Sequence, residues 1–222
     1  MKISIITLFP ETFTPTLNAS ILKRAQQKGL VEFELINLRS FGEGRHQVVD
    51  DSPFGGGVGL VFKPDVLAKA LKTIKKDNSY TILMSASGYT YRQETAQRFS
   101  QLEHLIIVCG HYEGVDQRFV DKYVDLEVSI GDYVLTGGEI PAMVVTDSIT
   151  RLIPGVLAKA EATQDESFSQ NLLEYPQYTR PDDFEGEKVP SVLVSGNHQA
   201  VKKWRAEKSL EKTKKVRPDL LK

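Results

Sequence analysis

The sequence is poor in cysteine, with a single one among its 222 residues. With Cys109 alone, the chain can form neither an internal disulfide nor a zinc site built on several cysteines. We expect Cys109 to pack in a buried strand. No apolar run approaches the roughly 20 residues that a membrane-spanning helix needs, so no membrane association is expected. The apolar start, residues 1–10, is short and lacks a small-residue cleavage site, which favours a cytoplasmic protein.

The net charge is only -1, but the charges are unevenly distributed along the chain. Residues 161–187 contain eight acids and one base, whereas residues 197–222 contain nine bases and three acids. A basic segment of this density can meet a phosphate backbone. A solvated helix face has the same composition, so charge by itself leaves RNA binding open.

Short apolar runs alternate with segments of helical character in the first two thirds of the chain. The runs predict strands near 3–9, 32–38, 80–85, 105–110 and 125–129. Helices are predicted between and after them, at 17–28, 63–76, 92–101, 115–123 and 139–153. This alternation is typical of an α/β layer with a largely parallel sheet. Residues 154–190 predict linker and loops, and residues 199–215 predict short helices.

Glycine is concentrated in three clusters at predicted turns, within residues 55–59, 110–114 and 131–138. Glycine adopts positive φ readily and lets a ligand approach the backbone closely, so these clusters are candidate ligand loops. Tight turns without a ligand are the alternative for each cluster taken alone. Neither the dinucleotide spacing G-x-G-x-x-G nor the phosphate loop G-x-x-x-x-G-K-[ST] is present, so nucleotides held by those motifs are not expected.

The order of two motifs carries the most specific signal. The strand at 105–109 is followed by GHYEGVD at 110–116 and then by SIGDYVLTGGE at 129–139. This arrangement resembles the knotted SPOUT methyltransferases, and among them the bacterial tRNA (guanine-N1)-methyltransferases. Four further blocks resemble the same family, so that the resemblance covers nearly the whole chain: Leu8–Pro10, Val49–Gly59, Leu172–Pro181 and Val192–His198.

The resemblance implies an α/β fold in which a parallel-sheet trefoil-knot (SPOUT) domain carries a small, mainly helical C-terminal domain. Residues 1–158 would form the knotted domain that binds S-adenosylmethionine, residues 159–174 a flexible interdomain linker, and residues 175–222 the tRNA-binding domain. Trp204 and Arg205 would help to hold the phosphate backbone of the anticodon region. The family also implies a homodimer, in which the linker and C-terminal domain of one chain close over the cofactor of the other.

Three loops hold S-adenosylmethionine in the family, and they correspond here to residues 83–88, 110–114 and 130–138. The resulting candidate cofactor residues are Leu83, Met84, Ser85, Gly88, Gly110, Tyr112, Glu113, Gly114, Ser129, Ile130, Gly131, Asp132, Tyr133, Val134, Leu135, Gly137 and Gly138. Core packing is the alternative for the side chains of Ile130, Val134 and Leu135. Asp50, Glu113 and Asp116 either position cofactor, substrate or partner chain, or cap turns. No metal ligands are expected, and a need for Mg²⁺ in turnover stays open.

Methyl transfer to guanine N1 needs a base, because this nitrogen carries a proton in neutral guanine, and a cation near O6 can stabilise the developing charge. The resemblance assigns the cation to Arg151 and the base to the acid before a Ser-Phe pair, which is Glu166 here where the family has aspartate. Asp165 is the alternative base. His111 is a second departure, since the family more often has arginine there.

The resemblance therefore implies transfer of a methyl group from S-adenosylmethionine to N1 of the guanine at position 37 of tRNA, 3′ of the anticodon. Two alternatives remain open: a SPOUT enzyme that methylates the ribose 2′-oxygen, and an RNA-binding homologue without catalysis. A hydrolase using His111 with Asp116 or Glu113 has little support, because no nucleophilic Ser or Cys lies in a recognisable turn motif.

Overall fold

A computed structural model describes residues 1–158 and 166–222. The chain divides into two compact units, Met1–Ala158 and Lys159–Lys222. The first part of the predicted linker, including Asp165, lies outside the described residues. Across the two described ranges, no helix is both long and apolar enough to cross a membrane.

The first unit alternates strands and helices, as the sequence predicts. In chain order it contains β1 (Lys2–Thr7), α1 (Thr14–Leu17), α2 (Ser20–Gln27), β2 (Glu32–Asn37), β3 (Asp50–Asp51), β4 (Val61–Phe62), α3 (Pro64–Ile74), β5 (Ser79–Thr90), α4 (Gln93–Phe99), β6 (His104–Cys109), α5 (Gln117–Tyr123), β7 (Leu126–Ser129) and α6 (Glu139–Thr150). The single helix predicted at 17–28 is wrong in one respect. It is interrupted between α1 and α2, where Ser20 has a φ of 43°.

Five parallel strands form the central sheet, in the order β2-β1-β6-β5-β7. Every residue of β6 is buried, and its side chains alternate between two apolar clusters on opposite faces. Leu105, Ile107 and Cys109 belong to one cluster, whereas Ile106 and Val108 belong to the other. Helices therefore cover both faces of the sheet, which explains why its central strands are continuous apolar runs. The predicted packing role of Cys109 is confirmed.

A register shift in β5 separates its two pairings with β7. Met84 and Tyr89 are both paired with Val128, so the chain between them leaves the ladder. A Cβ on Gly88 would lie 2.5 Å from the Val128 nitrogen, which is too close for two nonbonded atoms. The bulge brings residues 85–88 to the carboxyl edge of the sheet, where β6 and β7 also end.

The second unit contains a two-stranded hairpin, β8 (Asp183–Phe184) and β9 (Glu187–Lys188), followed by α7 (Ser191–Val194) and α8 (His198–Val216). The prediction of several short helices at 199–215 is wrong, because α8 is one helix of 19 residues. Asn197 caps its start, where its side chain accepts a hydrogen bond from the Ala200 N–H at 3.1 Å. The residues that α8 buries are Ser209 and Thr213, so its inner face lacks the apolar periodicity from which a long helix is predicted.

Candidate functional site

A cleft of about 470 Å³ opens at the carboxyl ends of β5, β6 and β7. Open parallel sheets bind their ligands at this edge. The structure brings together all predicted cofactor residues except Gly88 and Asp132: Leu83, Met84, Ser85, Gly110, Tyr112, Glu113, Gly114, Ser129, Ile130, Gly131, Tyr133, Val134, Leu135, Gly137 and Gly138 line the cleft. Gly88 packs against the backbone of β7 instead, and Asp132 is exposed.

Backbone contacts join the loop after β6 to the loop after β7. The Gly138 N–H donates to the Gly110 carbonyl at 2.7 Å, and His111 and Gly137 form an antiparallel bridge. A Cβ on Gly138 would lie 2.8 Å from both the Cys109 Cα and the Gly110 nitrogen. Only glycine allows the two loops to approach this closely, so the requirement is steric rather than conformational.

The loop after β7 presents apolar side chains to the cleft. Gly131 has a φ of 154°, and the Tyr133 ring occupies the space that a side chain at Gly131 would need. Tyr133 is 55% exposed, Val134 84% and Leu135 38%, whereas Ile130 packs partly against the core. Core packing is therefore wrong as an explanation for Val134 and Leu135. These side chains are available for a ligand with an apolar ring.

Two carboxylates, those of Glu113 and Glu127, also line the cleft. Glu127 lies outside the three predicted cofactor loops, as do the lining residues Val115, Gln117, Val120, Val128 and Pro141. Glu127 lies on β7 beside the bulge of β5, which explains why it lines the cleft. No spacing of residues in the sequence indicates this position. Within the part of the chain that the structure describes, no three His, Cys, Asp or Glu side chains gather into a group that could hold a metal ion.

Asp50 and Asp116 have different surroundings. Burial raises the pKa of Tyr112, and the nearby Asp50 carboxylate raises it further. Asp50 therefore interacts electrostatically with Tyr112, which lines the cleft. Asp116 caps α5, accepting from the Arg118 N–H at 2.9 Å, and its side chain pairs with the Arg118 guanidinium at 2.7 Å. The hydrogen bond from Arg118 lowers the pKa of Asp116. For Asp116 the capping alternative therefore has direct support.

The glycine-rich segment at 55–59 is joined to the loop after β6. The Glu113 N–H donates to the Leu60 carbonyl at 3.0 Å, and the Phe62 N–H donates to the Gly114 carbonyl at 3.0 Å. The side chain of Glu113 fills the space beside Gly59. The Val49–Gly59 block of the sequence is thus anchored at the rim of the cleft.

Arg151 is not among the residues that line the cleft. It directly follows the last residue of α6, whereas Gly138 directly precedes the first, and this separation of 13 residues corresponds to about 20 Å at 1.5 Å per residue. Glu166 belongs to the second unit and lies in a turn. Its backbone carbonyl accepts two hydrogen bonds from Ser169, one from the N–H at 3.1 Å and one from the hydroxyl at 2.7 Å. Asp165, the alternative base, lies outside the described residues.

The chain is similar over its whole length to a known family. The model of the family described as tRNA (Guanine-1)-methyltransferase TrmD matches residues 1–222. A tRNA (guanine-N(1)-)-methyltransferase of Dictyoglomus turgidum is 53% identical over 221 residues, covering 100% of this chain and 90% of the relative. Proteins of the same name from Carboxydothermus hydrogenoformans and Clostridioides difficile are 53% and 50% identical, covering 88% and 98% of those relatives.

Proposed function

The chain belongs to the tRNA (Guanine-1)-methyltransferase TrmD family, and on that premise we propose that it methylates N1 of guanine 37 in tRNA, 3′ of the anticodon, using S-adenosylmethionine. The relatives' names give the tRNA, the guanine and N1. The observation that carries the proposal is the glycine-built cleft, which is lined by the loops that the family uses for its cofactor.

The residues of the cleft fit S-adenosylmethionine. Tyr133 and Leu135 line the cleft and offer apolar surface to an adenine ring. Glu113 and Glu127 supply negative charge, which favours the positive sulfonium and ammonium groups. When bound, the cofactor supplies an electrophilic methyl group.

In this proposal Glu166 is the general base. Its carboxylate would take the proton from guanine N1, and the negative charge left on the base would spread toward O6, where the guanidinium of Arg151 would stabilise it. The N1 lone pair is then available for the methyl group, whose bond to the sulfonium sulfur breaks as the bond to N1 forms. The target base must leave its stack to reach both groups, as bases in an anticodon loop can.

The domain organisation follows the same proposal. Residues 1–158 form the trefoil-knotted methyltransferase domain, 159–174 the interdomain linker, of which 159–165 lie outside the described residues, and 175–222 the tRNA-binding domain. Support comes from the parallel sheet with its carboxyl-edge cleft. The second unit contributes α8, which lies in a segment of nine bases and three acids. These cations would contact phosphates without reading sequence.

A homodimer would complete the site. Arg151 lies ten residues beyond Pro141, which lines the cleft, or about 15 Å along α6, so a second chain is a natural source of the catalytic groups. Mixing two variants, Gly138→Ala and Glu166→Gln, at a cofactor concentration too low for Gly138→Ala to bind it tests this arrangement. If one chain supplies the cofactor loops and the other the base, mixed dimers keep one intact site, and statistical mixing restores about a quarter of the activity. If each site lies within one chain, mixing restores none.

Methylation of two tRNA transcripts, with guanine or adenine at position 37, tests the function itself. We expect methyl incorporation only with guanine, and 1-methylguanosine as the product nucleoside. A 2′-O-methylated product would support the other SPOUT activity, whereas cofactor and tRNA binding without incorporation would support a non-catalytic homologue. Repeating the assay with a chelator decides whether Mg²⁺ is needed. We also propose that the protein is cytoplasmic, where tRNA is modified in bacteria.

A further inference from the structure

Glu139 is a buried carboxylate to which the proposed reaction gives no role. It is the first residue of α6, directly after the cleft residues Gly137 and Gly138, and it is only 8% exposed. A buried carboxylate costs free energy unless hydrogen bonds or opposite charges compensate it. The Thr7 hydroxyl at the end of β1 donates to Oε1 at 2.8 Å. The start of α6 contributes as well, because the helix dipole favours negative charge there.

The other carboxylate oxygen of Glu139 faces His111. Its Oε2 lies 3.9 Å from Nδ1 of the imidazole, and within the described residues this buried Nδ1 has no hydrogen-bond partner. A shortening of about 1 Å would make a charge-assisted hydrogen bond. Gly137 lies against both groups, since a side chain there would overlap Nδ1 and Oε2.

The contacts of Glu139 join three parts of the chain beside the cleft. Thr7 ends β1, His111 lies in the loop after β6, and Glu139 follows the loop after β7. His111 itself lines the cleft and is bridged to Gly137 through the backbone. A stronger attraction between His111 and Glu139 would therefore hold the two cofactor loops together.

We propose that Glu139 is a positioning residue that holds the protonated form of His111, and through it the two loops, so that S-adenosylmethionine binds more tightly when His111 is charged. The inference rests on the proposed function, because it assumes that this cofactor occupies the cleft. Histidine side chains change charge between about pH 5 and pH 8. The attraction to Glu139 exists only while the imidazole carries its second proton.

Other titratable or charged groups contact His111 or its direct neighbours. They are Glu139 from α6, Cys109 from β6, Tyr112 and Glu113 from its own loop, and Asp50 and Arg39 beyond Tyr112. Phe9 contributes an uncharged ring at 5.3 Å. Burial and the charge of Glu139 raise the pKa of the Cys109 thiol well above its usual value, and burial raises that of Tyr112. Both groups therefore stay neutral between pH 6 and 8.

Calorimetric titration of the full-length protein with S-adenosylmethionine at about pH 6, 7 and 8 tests the inference. We expect the wild-type affinity to fall ~10-fold across this interval, a usual size for coupling between two groups. Glu139→Gln keeps an acceptor for Thr7 but has no charge, so it should bind weakly at every pH. His111→Arg carries a permanent charge and should bind tightly at every pH. His46→Gln changes an exposed histidine and should keep the wild-type profile.

A double-variant cycle adds a readout that a purely structural role would not produce. If the two residues act as a pair, Glu139→Gln combined with His111→Gln weakens binding at pH 6 no more than either change alone. His111→Arg provides the test even if Glu139→Gln folds poorly.

The outcomes separate this inference from the proposed function. A wild-type protein that binds the cofactor and methylates tRNA, but with the same affinity from pH 6 to pH 8, overturns the role of the pair and leaves the function intact. An affinity that rises with pH also overturns it, because unpaired Glu139 would then attract the sulfonium directly. Absence of cofactor binding at every pH rejects both.

Discussion

The two units of the chain differ in whether backbone or side chains make their most important contacts. In the first unit the cleft is built from backbone: Gly110 and Gly138 touch across two loops, and a Cβ on Gly138 would lie 2.8 Å from the Gly110 nitrogen. In the second unit polar side chains organise the fold. Thr213 Oγ1 accepts from the Leu173 N–H at 2.8 Å, and the Ser209 hydroxyl donates to the Leu173 carbonyl.

Aromatic contacts reinforce this difference. Arg205 stacks over the Tyr175 ring at 4.7 Å, and Tyr178 lies 6.2 Å from Trp204. Arg205 and Trp204, predicted from the sequence to hold RNA, thus also pack against the chain that precedes α8. A site formed by closely packed backbone loses function when a substitution adds volume. A site formed by side chains loses function when a substitution changes their functional groups.

The largest expected effect is on the functional group of Glu166. Glu166→Gln keeps the shape of the side chain and removes its basicity, so kcat should fall by ~10²–10⁴, the usual contribution of a general base. The affinity for S-adenosylmethionine should not change, because Glu166 belongs to the other unit. Single-turnover methylation and calorimetry measure the two quantities. Asp165→Asn is the matched control, and loss of activity in that variant alone would make Asp165 the base.

The next effect concerns the charge of Arg151. Arg151→Gln removes the cation that stabilises charge on O6, and we expect kcat to fall by ~10²–10³, as for loss of one stabilising donor. Arg118→Gln is the control, since Arg118 is 71% exposed and its described partner is Asp116. Equal activity of the two variants in the methylation assay would remove Arg151 from the catalytic site.

Added volume in the cleft should have a smaller but distinct effect. Gly138→Ala places a Cβ 2.8 Å from backbone atoms of Cys109 and Gly110, and overpacking of this kind costs about 1–3 kcal/mol. Because the strain lies between the cofactor loops, calorimetry should show cofactor affinity falling by about 10–100-fold. Gly29→Ala has open space around it and a φ of 68°, so it should lower stability by about 1 kcal/mol and spare binding. Equal effects on binding would contradict the backbone origin of the cleft.

The smallest effect is on the stability of the second unit. Thr213→Val removes the acceptor for the buried Leu173 N–H, and an unsatisfied buried donor costs about 1–3 kcal/mol. Urea unfolding should show this loss, while the cofactor affinity of the first unit stays unchanged. Lys214→Ala, at an exposed neighbouring position, should stay within about 0.5 kcal/mol of wild type. A change in cofactor affinity in Thr213→Val would show that the two units are coupled.

The sequence by itself determined the layered α/β class, and its resemblance to a known family gave most of the cleft lining. Continuous apolar runs indicate strands buried on both faces, and β1 and β6 are such strands. Glycine clusters at strand ends indicate backbone that must approach a neighbour, as Gly110, Gly137 and Gly138 do. Both signals are local, since they depend on residues that are adjacent in the chain.

The tertiary structure alone decided which distant residues meet. Thr7 and Glu139 are 132 positions apart, and they come together because β1 lies beside β6 in the order β2-β1-β6-β5-β7. The same strand order and the bulge of β5 place Glu127 in the lining of the cleft and pack Gly88 against the backbone of β7. The single helix α8 also escaped prediction, because it buries hydroxyl groups that bond to Leu173 rather than an apolar stripe. Such contacts depend on strand order and long-range hydrogen bonds, which no local pattern of residue types encodes.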